Sequence, residues 1–436
     1  MSIDSHLEAS PATSPSSGRG VARYWNDVLL DVFRQVGGAP GPLARTAAML
    51  HGAIFDVVNN QVRVDRRLDS PLYLSYLGRL PAQRGASVED GVNVAARDIL
   101  LALHADLAAV VNAAFNARYP GSNPAKVVSP LGKAAARAML RARAHDGAED
   151  TTPYRLDGVP GSWRPTTAGT SAATPNWGRV TPFGSTSGSI FRPPLPAGFA
   201  NYADLLASRA YAEQVNEVKL LGEARSDART VDQTHAALFW ANDLNGTYKP
   251  PGHLLHIADG IVPPQSLLDD ARLFALTSFA LADAMITAWD SKYDTPIDLW
   301  RPETAIQLAD TDGNPDTTAL PRWQPLSATV AGVHFSPPFP AYISGHATIA
   351  GAWAEILRLY VGTDNKQFTA TSEDPNLPGG STVRTFSSFS QAAIENARSR
   401  IYLGVHFQFD ADHGLAAGKA VAGHIFRTLF YPLDKR

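Results

Sequence analysis

The sequence predicts an all-α protein of two packed helical bundles with few short strands. Apolar residues recur at helical spacing over long stretches, whereas alternation typical of strands is rare. The chain has 436 residues and is 44% hydrophobic, which is enough to bury a substantial core. Long helical stretches with little sheet favour bundles packed on one another.

The N-terminal part contains three helical regions. Residues 22–60 show helical apolar spacing interrupted by a Gly-Pro pair, residues 88–118 are rich in Ala, Leu and Val, and residues 133–145 are rich in Ala. We therefore predict an N-terminal helical half at 21–157. Residues 1–20 contain no apolar core of a signal peptide, and we expect them to be a disordered lead-in.

Residues 158–200 are rich in Gly, Pro, Ser and Thr, with isolated aromatic residues. A loop of this length inside a domain is usually a functional cover or a crossover between helical layers. A plain linker is the alternative. The aromatic residues favour a covering loop that packs onto the rest of the protein.

We predict a C-terminal helical half at 201–436 that carries the functional site. Helical spacing resumes in several segments, and the best strand pattern lies at 382–386. The predicted helices are 202–221, 230–240, 267–290, 346–360, 389–397 and 414–430.

Composition excludes several classes of function. The net charge of −3 gives no sign of a nucleic-acid partner, and the absence of cysteine rules out disulfides and thiolate chemistry. No stretch approaches the roughly 18 to 20 uninterrupted apolar residues of a membrane span. We therefore expect no membrane partner and, by default, a cytoplasmic location. Exposed Ala and Leu faces would be compatible with a homodimer.

The segment Ser344-Gly345-His346 has the pattern of an anion site at the start of a helix. Prolines at 337, 338 and 340 prevent a helix before Tyr342, and an amphipathic segment follows. Ser344 is therefore expected as the N-cap, with the amides of the next two residues free to bind an anion. An ordinary serine cap with a bystander histidine is the simpler alternative.

A second cluster consists of Ser399-Arg400 and His406. Six residues of spacing place Arg400 and His406 about 240° apart on an ideal helix, so they share no face. They can meet at one ligand only if the backbone bends, and Gly404 is the residue that permits a bend. A histidine here could instead be a satisfied core residue.

The third cluster pairs Lys292 with Arg301-Pro302. Arg301 offers a planar fork for two oxyanion oxygens, and Lys292 offers a point charge. Both could also be ordinary surface cations. The three clusters together supply three cations, two imidazoles, a hydroxyl and a backbone amide, which suits phosphate or its analogue vanadate.

In this order the clusters resemble the signature of the vanadium-dependent haloperoxidases and the related type 2 phosphatidic acid phosphatases. That signature is Lys-x6-Arg-Pro, then Pro-Ser-Gly-His, then Ser-Arg-x5-His. The sequence departs from it twice: Ile343 replaces a proline, and Lys292 and Arg301 are nine rather than seven apart. Nine residues would oppose the two cations on one helix, unless a kink at Pro296 restores convergence.

The resemblance implies a role for each residue of the clusters. His406 would bind vanadium as its metal ligand, and His346 would be the acid–base residue. The remaining vanadate-binding residues would be Lys292, Arg301, Ser344, Gly345 and Arg400. The segment from Pro337 to His346 is similar to the chloroperoxidase form of the motif, so Phe339, with Trp300, is expected at a halide pocket.

The activity implied is oxidation of halide by hydrogen peroxide, with vanadate as cofactor, to a hypohalous species that halogenates a small organic acceptor. A soluble acid phosphatase with a phosphohistidine intermediate is the alternative, and a helical binding protein without turnover is another. The preferred halide and the acceptor stay open. Asp243 and Asp290 are equal candidates to pair with a site arginine, and His253 and His256 are expected to be structural.

Overall fold

The computed structural model describes residues 19–65 and 71–433, and almost all of its regular structure is helical. Most of the predicted lead-in, residues 1–18, lies outside the described residues. Fourteen α-helices are present in the described part of the chain. They are α1 (Val21–Val36), α2 (Pro40–Asp65), α3 (Val88–Leu103), α4 (Ala108–Ala117), α5 (Pro130–Ala142), α6 (Tyr202–Leu206), α7 (Arg209–Leu221), α8 (Val231–Phe239), α9 (Lys249–Ile261), α10 (Leu267–Tyr293), α11 (Pro302–Gln307), α12 (Gly345–Val361), α13 (Phe389–Tyr402) and α14 (Gln408–Thr428).

A single antiparallel pair of strands, β1 (Phe368–Thr371) and β2 (Val383–Phe386), is the only sheet among the described residues. Phe368 pairs with Phe386 in its register. The predicted strand at 382–386 is confirmed as β2, and the all-α fold class is confirmed as well.

Helix α10 is the central helix of the molecule. It packs against α2 on the N-terminal side and against α12 and α14 on the C-terminal side. Its side chains are buried along nearly its whole length, because a helix that is apolar all round must lie inside the core. Within the described ranges α10 alone is long and apolar enough to cross a membrane, and that apolar window is wholly buried in the fold.

Several helix boundaries differ from the predictions. The predicted helix 88–118 is two helices, because the backbone at His104 leaves the helical region (φ −138°, ψ 62°). Helices α9 and α11 were not predicted, since each begins with prolines that obscure helical spacing. The last helix begins at Gln408 rather than at 414.

Helices α12 and α14 approach each other closely through glycines. A Cβ on Gly418 would lie 1.9 Å from the Thr348 carbonyl oxygen, and one on Gly351 would lie 2.5 Å from the Leu415 oxygen. A larger residue would not fit at either position, which explains why both helices contain a glycine there. Close packing brings the N-terminal ends of α12 and α14 together, where the Ser344 amide donates to the Asp410 carbonyl at 3.0 Å.

Residues 158–200 contain only short 3₁₀ turns, and their aromatic side chains Trp163 and Trp177 are buried. The Trp163 amide donates to the Asp298 carbonyl at 2.7 Å, and the Ala173 amide donates to the Pro338 carbonyl at 2.8 Å. The loop therefore packs against two segments that carry candidate site residues. The domain boundaries at 157 and 200 stay predictions.

Candidate active site

Lys292 and Arg301 converge on the segment 339–341. Lys292 Nζ donates to the carbonyls of Pro340 at 2.7 Å and Ala341 at 2.9 Å, and Arg301 Nε donates to the Phe339 carbonyl at 2.7 Å. The nine-residue spacing does not oppose them, because α10 ends at Tyr293 and Arg301 is the N-cap residue of α11. The two cations do not share one helix, because the helix ends between them, before Pro296.

Ser344 caps α12, as predicted. Its Oγ accepts a hydrogen bond from the Ala347 amide at 3.3 Å, and the first backbone bond of the helix runs from Thr348 to the Ser344 carbonyl. The amides of Gly345 and His346 lie ahead of that bond, at the positive end of the helix dipole. A Cβ on Gly345 would lie 3.3 Å from the Trp289 ring. Because glycine has no side chain, the Trp289 ring can lie close to the backbone at the start of α12.

The backbone bends between Arg400 and His406, as the spacing required. Helix α13 ends at Tyr402, and Gly404 adopts φ +81°, a left-handed conformation that favours glycine. The bend places His406 Nε2 at 3.1 Å from Arg301 Nη1, which also donates to the Val405 carbonyl at 2.7 Å. Arg400, Arg301 and His406 are thus brought to one place from two distant segments.

Asp410 is a site residue that the sequence analysis missed. Its Oδ2 lies 2.9 Å from His406 Nδ1 and accepts the Phe407 amide at 3.0 Å. The sequence does contain a signal for it: Asp410 follows His406 by four residues and lies in the first turn of α14. It was not recognised because the helix was predicted to begin at 414. Burial raises the pKa of Asp410 to about 7, against the opposing charges of Lys292 and Arg301.

Asp243, in the loop after α8, pairs with Arg400. Arg400 Nη2 donates to Asp243 Oδ2 at 2.9 Å. The other candidate, Asp290, binds Arg192 at 2.6 and 2.8 Å instead. The structure thus decides between two aspartates that the sequence left equal.

His346 lies beside the Asp243–Arg400 pair. Its Nε2 is 3.1 Å from the Ala241 carbonyl oxygen and 3.9 Å from Asp243 Oδ1. Burial and the charge of Arg400 lower the pKa of His346 to about 4, outweighing Asp243. Because a carbonyl oxygen only accepts, the neutral ring carries its proton on Nε2 and has its lone pair on Nδ1.

The arginines retain donors that the protein does not use. Among residues 19–65 and 71–433, Arg301 Nη2 and Arg400 Nε and Nη1 are buried and have no hydrogen-bond partner. Burial lowers the pKa of Arg301 to about 9 despite the nearby Asp410. Buried cationic donors without partners are costly, and an oxyanion would satisfy them. The donor set therefore fits vanadate or phosphate.

A small cavity lies beside these donors. Its polar lining residues are His346, His406, Arg400 and Asp243, and its other lining residues are apolar. The apolar lining residues are Pro40, Pro250, Met285, Trp289, Pro337, Phe339, Gly345 and Ile349. A wall of this kind limits water next to the charged groups.

The two residues expected at a halide pocket lie in different environments. Phe339 lines the cavity, packs against Trp289 with ring centroids 4.8 Å apart, and lies 4.7 Å from the Arg301 guanidinium carbon. Trp300 is not among the cavity-lining residues. It is buried elsewhere in the core and donates to Tyr211 Oη at 3.1 Å.

The remaining histidine pair has structural contacts. His253 is buried between Asn242 Nδ2, 2.9 Å from its Nδ1, and the Thr371 carbonyl, 2.8 Å from its Nε2. His256 lies 3.2 Å from Thr371 Oγ1. In the described part of the chain, no group of three or more His, Asp or Glu side chains is arranged to hold a metal ion.

Comparisons with known proteins show what the chain is similar to. Residues 272–434 match the family model described as the VCPO second helical-bundle domain. The vanadium chloroperoxidase of Curvularia inaequalis is 34% identical over 268 residues, which is 50% of this chain and 42% of that protein. The vanadium-dependent bromoperoxidase of Ascophyllum nodosum is 32% identical over 139 residues, 30% of this chain and 23% of that protein. The matched regions thus span less than half the length of these curated relatives.

Solved structures share the fold over nearly the whole chain. A bacterial vanadium-dependent iodoperoxidase superposes with a TM-score of 0.75 at 23% identity, covering 96% of this chain and 98% of that one. The apo form of a bacterial vanadium-dependent chloroperoxidase gives 0.66 at 18% identity, covering 90% and 94%. The chain therefore has the vanadium haloperoxidase fold, and its residues 272–434 match the second helical-bundle domain of that fold.

Proposed function

We propose that this protein is a vanadate-dependent haloperoxidase. It would oxidise halide with hydrogen peroxide to a hypohalous species, which then halogenates a small organic acceptor. The observation that carries the proposal is the set of buried arginine donors without partners that surrounds the His406 imidazole beside a half-apolar cavity.

Vanadate would be held by residues from three segments. Lys292, Arg301 and Arg400 supply positive charge, Ser344 supplies a hydroxyl, and the Gly345 amide supplies a backbone donor. Bound vanadate would act as a Lewis acid that makes hydrogen peroxide electrophilic without changing its own oxidation state.

His406 is suited to be the protein ligand to vanadium. Asp410 accepts the Nδ1 proton of the ring, which leaves the lone pair on Nε2, the nitrogen that faces Arg301. Burial, Arg301 and Lys292 hold the pKa of His406 well below its usual value, so the ring stays neutral and able to bind a metal.

His346 is suited to move a proton. Its Nδ1 lone pair is available because Nε2 is engaged by the Ala241 carbonyl. With its pKa lowered to about 4, the ring is neutral at physiological pH and can accept a proton from hydrogen peroxide. Asp243 faces the same ring and would stabilise the imidazolium formed in that transfer.

The halide would approach along the wall formed by Phe339 and Trp289. Their rings exclude water, and Arg301 and Lys292 lie behind Phe339 with Nζ of Lys292 5.3 Å from the ring centroid. Stripping water from a small anion is costly, and a dry pocket near positive charge offsets that cost. This arrangement supports chloride as a substrate.

One comparison tests the proposal. The apoprotein is assayed for halogenation of a dione dye with hydrogen peroxide and chloride, bromide or iodide, with and without orthovanadate. Aryl phosphate hydrolysis is measured in parallel, because the same cage with His406 as nucleophile would serve the alternative acid phosphatase. Halogenation that requires vanadate and halide supports the proposal, and hydrolysis without halogenation rejects it.

Matched variants make that comparison specific to the site. Arg400→Ala should abolish halogenation, whereas Arg398→Ala, two residues earlier on the same helix and paired with Glu217, should retain it. His406→Ala should also abolish halogenation. His424→Ala is its control, since that ring lies 2.8 Å from the Gly184 carbonyl and does not line the cavity.

A further inference from the structure

Met285 lies at the cavity wall beside the proposed vanadate site. It is on α10, one helical turn before Trp289, and lines the same cavity as His406 and Arg400. A Cβ on Gly345 would lie 3.5 Å from Met285 Cε and 3.9 Å from its Sδ. The thioether therefore packs directly against the glycine that is proposed to donate to vanadate.

Met285 is also the softest nucleophile of the cavity wall. A thioether sulfur is polarisable and keeps its lone pairs when it is packed among apolar atoms. The neighbouring Trp289 is held by a hydrogen bond from Nε1 to the Ala173 carbonyl at 3.2 Å and by contact with Phe339. An electrophilic halogen species in the cavity would therefore react at the sulfur first.

We infer that Met285 is a site of self-oxidation, at which hypohalous acid formed in the cavity converts the thioether to a sulfoxide. The inference rests on the proposed function, which supplies the oxidant. The sulfur lone pair attacks the halogen and releases hydroxide, and water then displaces halide from sulfur with loss of two protons. In sum, thioether and hypohalous acid give sulfoxide, halide and one proton, so sulfur loses two electrons and the halogen gains them.

The modification changes the wall on which the site depends. A sulfoxide replaces an apolar contact with a polar oxygen next to Gly345 and the cationic side chains. That oxygen would compete for donors meant for the oxyanion and would bring water into the apolar side. Oxidation of Met285 therefore limits the number of turnovers when no organic acceptor consumes the hypohalous acid.

The chain contains matched internal controls. Met49 and Met139 are 1% and 0% exposed, and Met285 is 0% exposed, but neither control residue lines the cavity. Oxidant arriving from bulk solvent reaches all three poorly. Preferential oxidation of Met285 during turnover is thus a signature of oxidant made inside the protein.

The test is peptide mass spectrometry of the vanadate-loaded enzyme after turnover with hydrogen peroxide and bromide, without an organic acceptor. One added oxygen atom is expected at Met285, increasing with the number of turnovers, while Met49 and Met139 stay unmodified. Met285→Leu, a volume-conserving change, should lose activity several-fold more slowly per turnover than the wild type.

Three outcomes would overturn the inference. They are halogenating turnover with Met285 unmodified, oxidation of Met285 no faster than that of Met49 or Met139, and equal oxidation when bromide is left out. The dye assay separates this inference from the proposed function. Absence of halogenation rejects that function, whereas halogenation with an intact Met285 rejects only the self-oxidation.

Discussion

Asp410 fixes the orientation of His406, with Oδ2 of the carboxylate 2.9 Å from Nδ1 of the ring. The same oxygen accepts the Phe407 amide, so the position of the carboxylate is set by the backbone at the start of α14. Helix α14 in turn packs through glycines against α12, which carries Ser344 and His346. The geometry of the proposed metal ligand thus depends on helix packing as well as on local sequence.

Asp410→Asn should weaken vanadate binding by about 10–100-fold, the usual effect of losing a carboxylate that orients a metal-ligating histidine. The change keeps the side-chain shape but removes the anionic acceptor of the Nδ1 proton. Titration of the apoprotein with vanadate by calorimetry measures the effect. Asp412→Asn, at an exposed residue two positions further along the same helix, is the control. Equal affinity of Asp410→Asn and the wild type would remove Asp410 from the site.

Vanadate should raise the thermal unfolding temperature of the wild type, because it satisfies buried donors only in the folded state. A ligand at 100 times its dissociation constant stabilises by about 2.7 kcal/mol. The gain should disappear in Arg400→Ala and persist in Arg398→Ala. Differential scanning fluorimetry with and without vanadate measures this, and a full gain in Arg400→Ala would contradict the assignment.

His346→Ala should keep vanadate bound but slow halogenation by about 10²–10⁴-fold, the usual contribution of general acid–base catalysis. The reason is that the His346 ring accepts a proton and contributes no charge to the cage while it is neutral. Vanadate affinity and kcat are measured on the same preparation. An unchanged kcat would show that another group moves the proton.

Phe339→Ala should reduce chloride oxidation more than iodide oxidation. Loss of the ring admits water beside Arg301 and Lys292, and chloride is the more strongly hydrated of the two ions. The ratio of kcat/KM for chloride to that for iodide is the measurement. Trp300→Phe is a suitable control, because Trp300 contacts Tyr211 rather than the cavity. A ratio that does not change would exclude Phe339 from halide selection.

The fold should lose stability in acid because of His51. This ring is fully buried against Phe274, has no hydrogen-bond partner in the described part of the chain, and burial lowers its pKa to about 3. A lowered folded-state pKa means that the unfolded chain takes up the proton first. Protonation of the buried His51 ring therefore costs no stability above about pH 6.5. The free energy of unfolding falls as the pH drops from there towards 3.

His51→Leu should reduce the loss of unfolding free energy that occurs as the pH falls below about 6.5. The free energy of unfolding is measured by urea denaturation at several pH values between 7 and 4. The exposed His145→Gln is the control and should keep the wild-type slope. A His51→Leu profile parallel to the wild type would show that other groups cause the acid sensitivity.

The sequence predicted the clusters of the site because local spacing and helix-start chemistry identify them. The Ser344 cap and the bend at Gly404 are of this kind, and the structure has both. Asp410 was missed because the start of α14 was predicted at 414 instead of 408. The choice of Asp243 over Asp290 could not be predicted, because it depends on how distant segments pack. Trp300 was predicted at the site because it precedes Arg301 in sequence, but its side chain is buried in the core, away from the cavity.

The most direct test of the central claim is an anomalous difference map from crystals of this protein soaked in vanadate. We expect one vanadium peak bonded to His406 Nε2, with Arg301, Arg400 and the Gly345 amide around its oxygens. A peak elsewhere, or vanadate held in the cavity without a bond to His406, would contradict it.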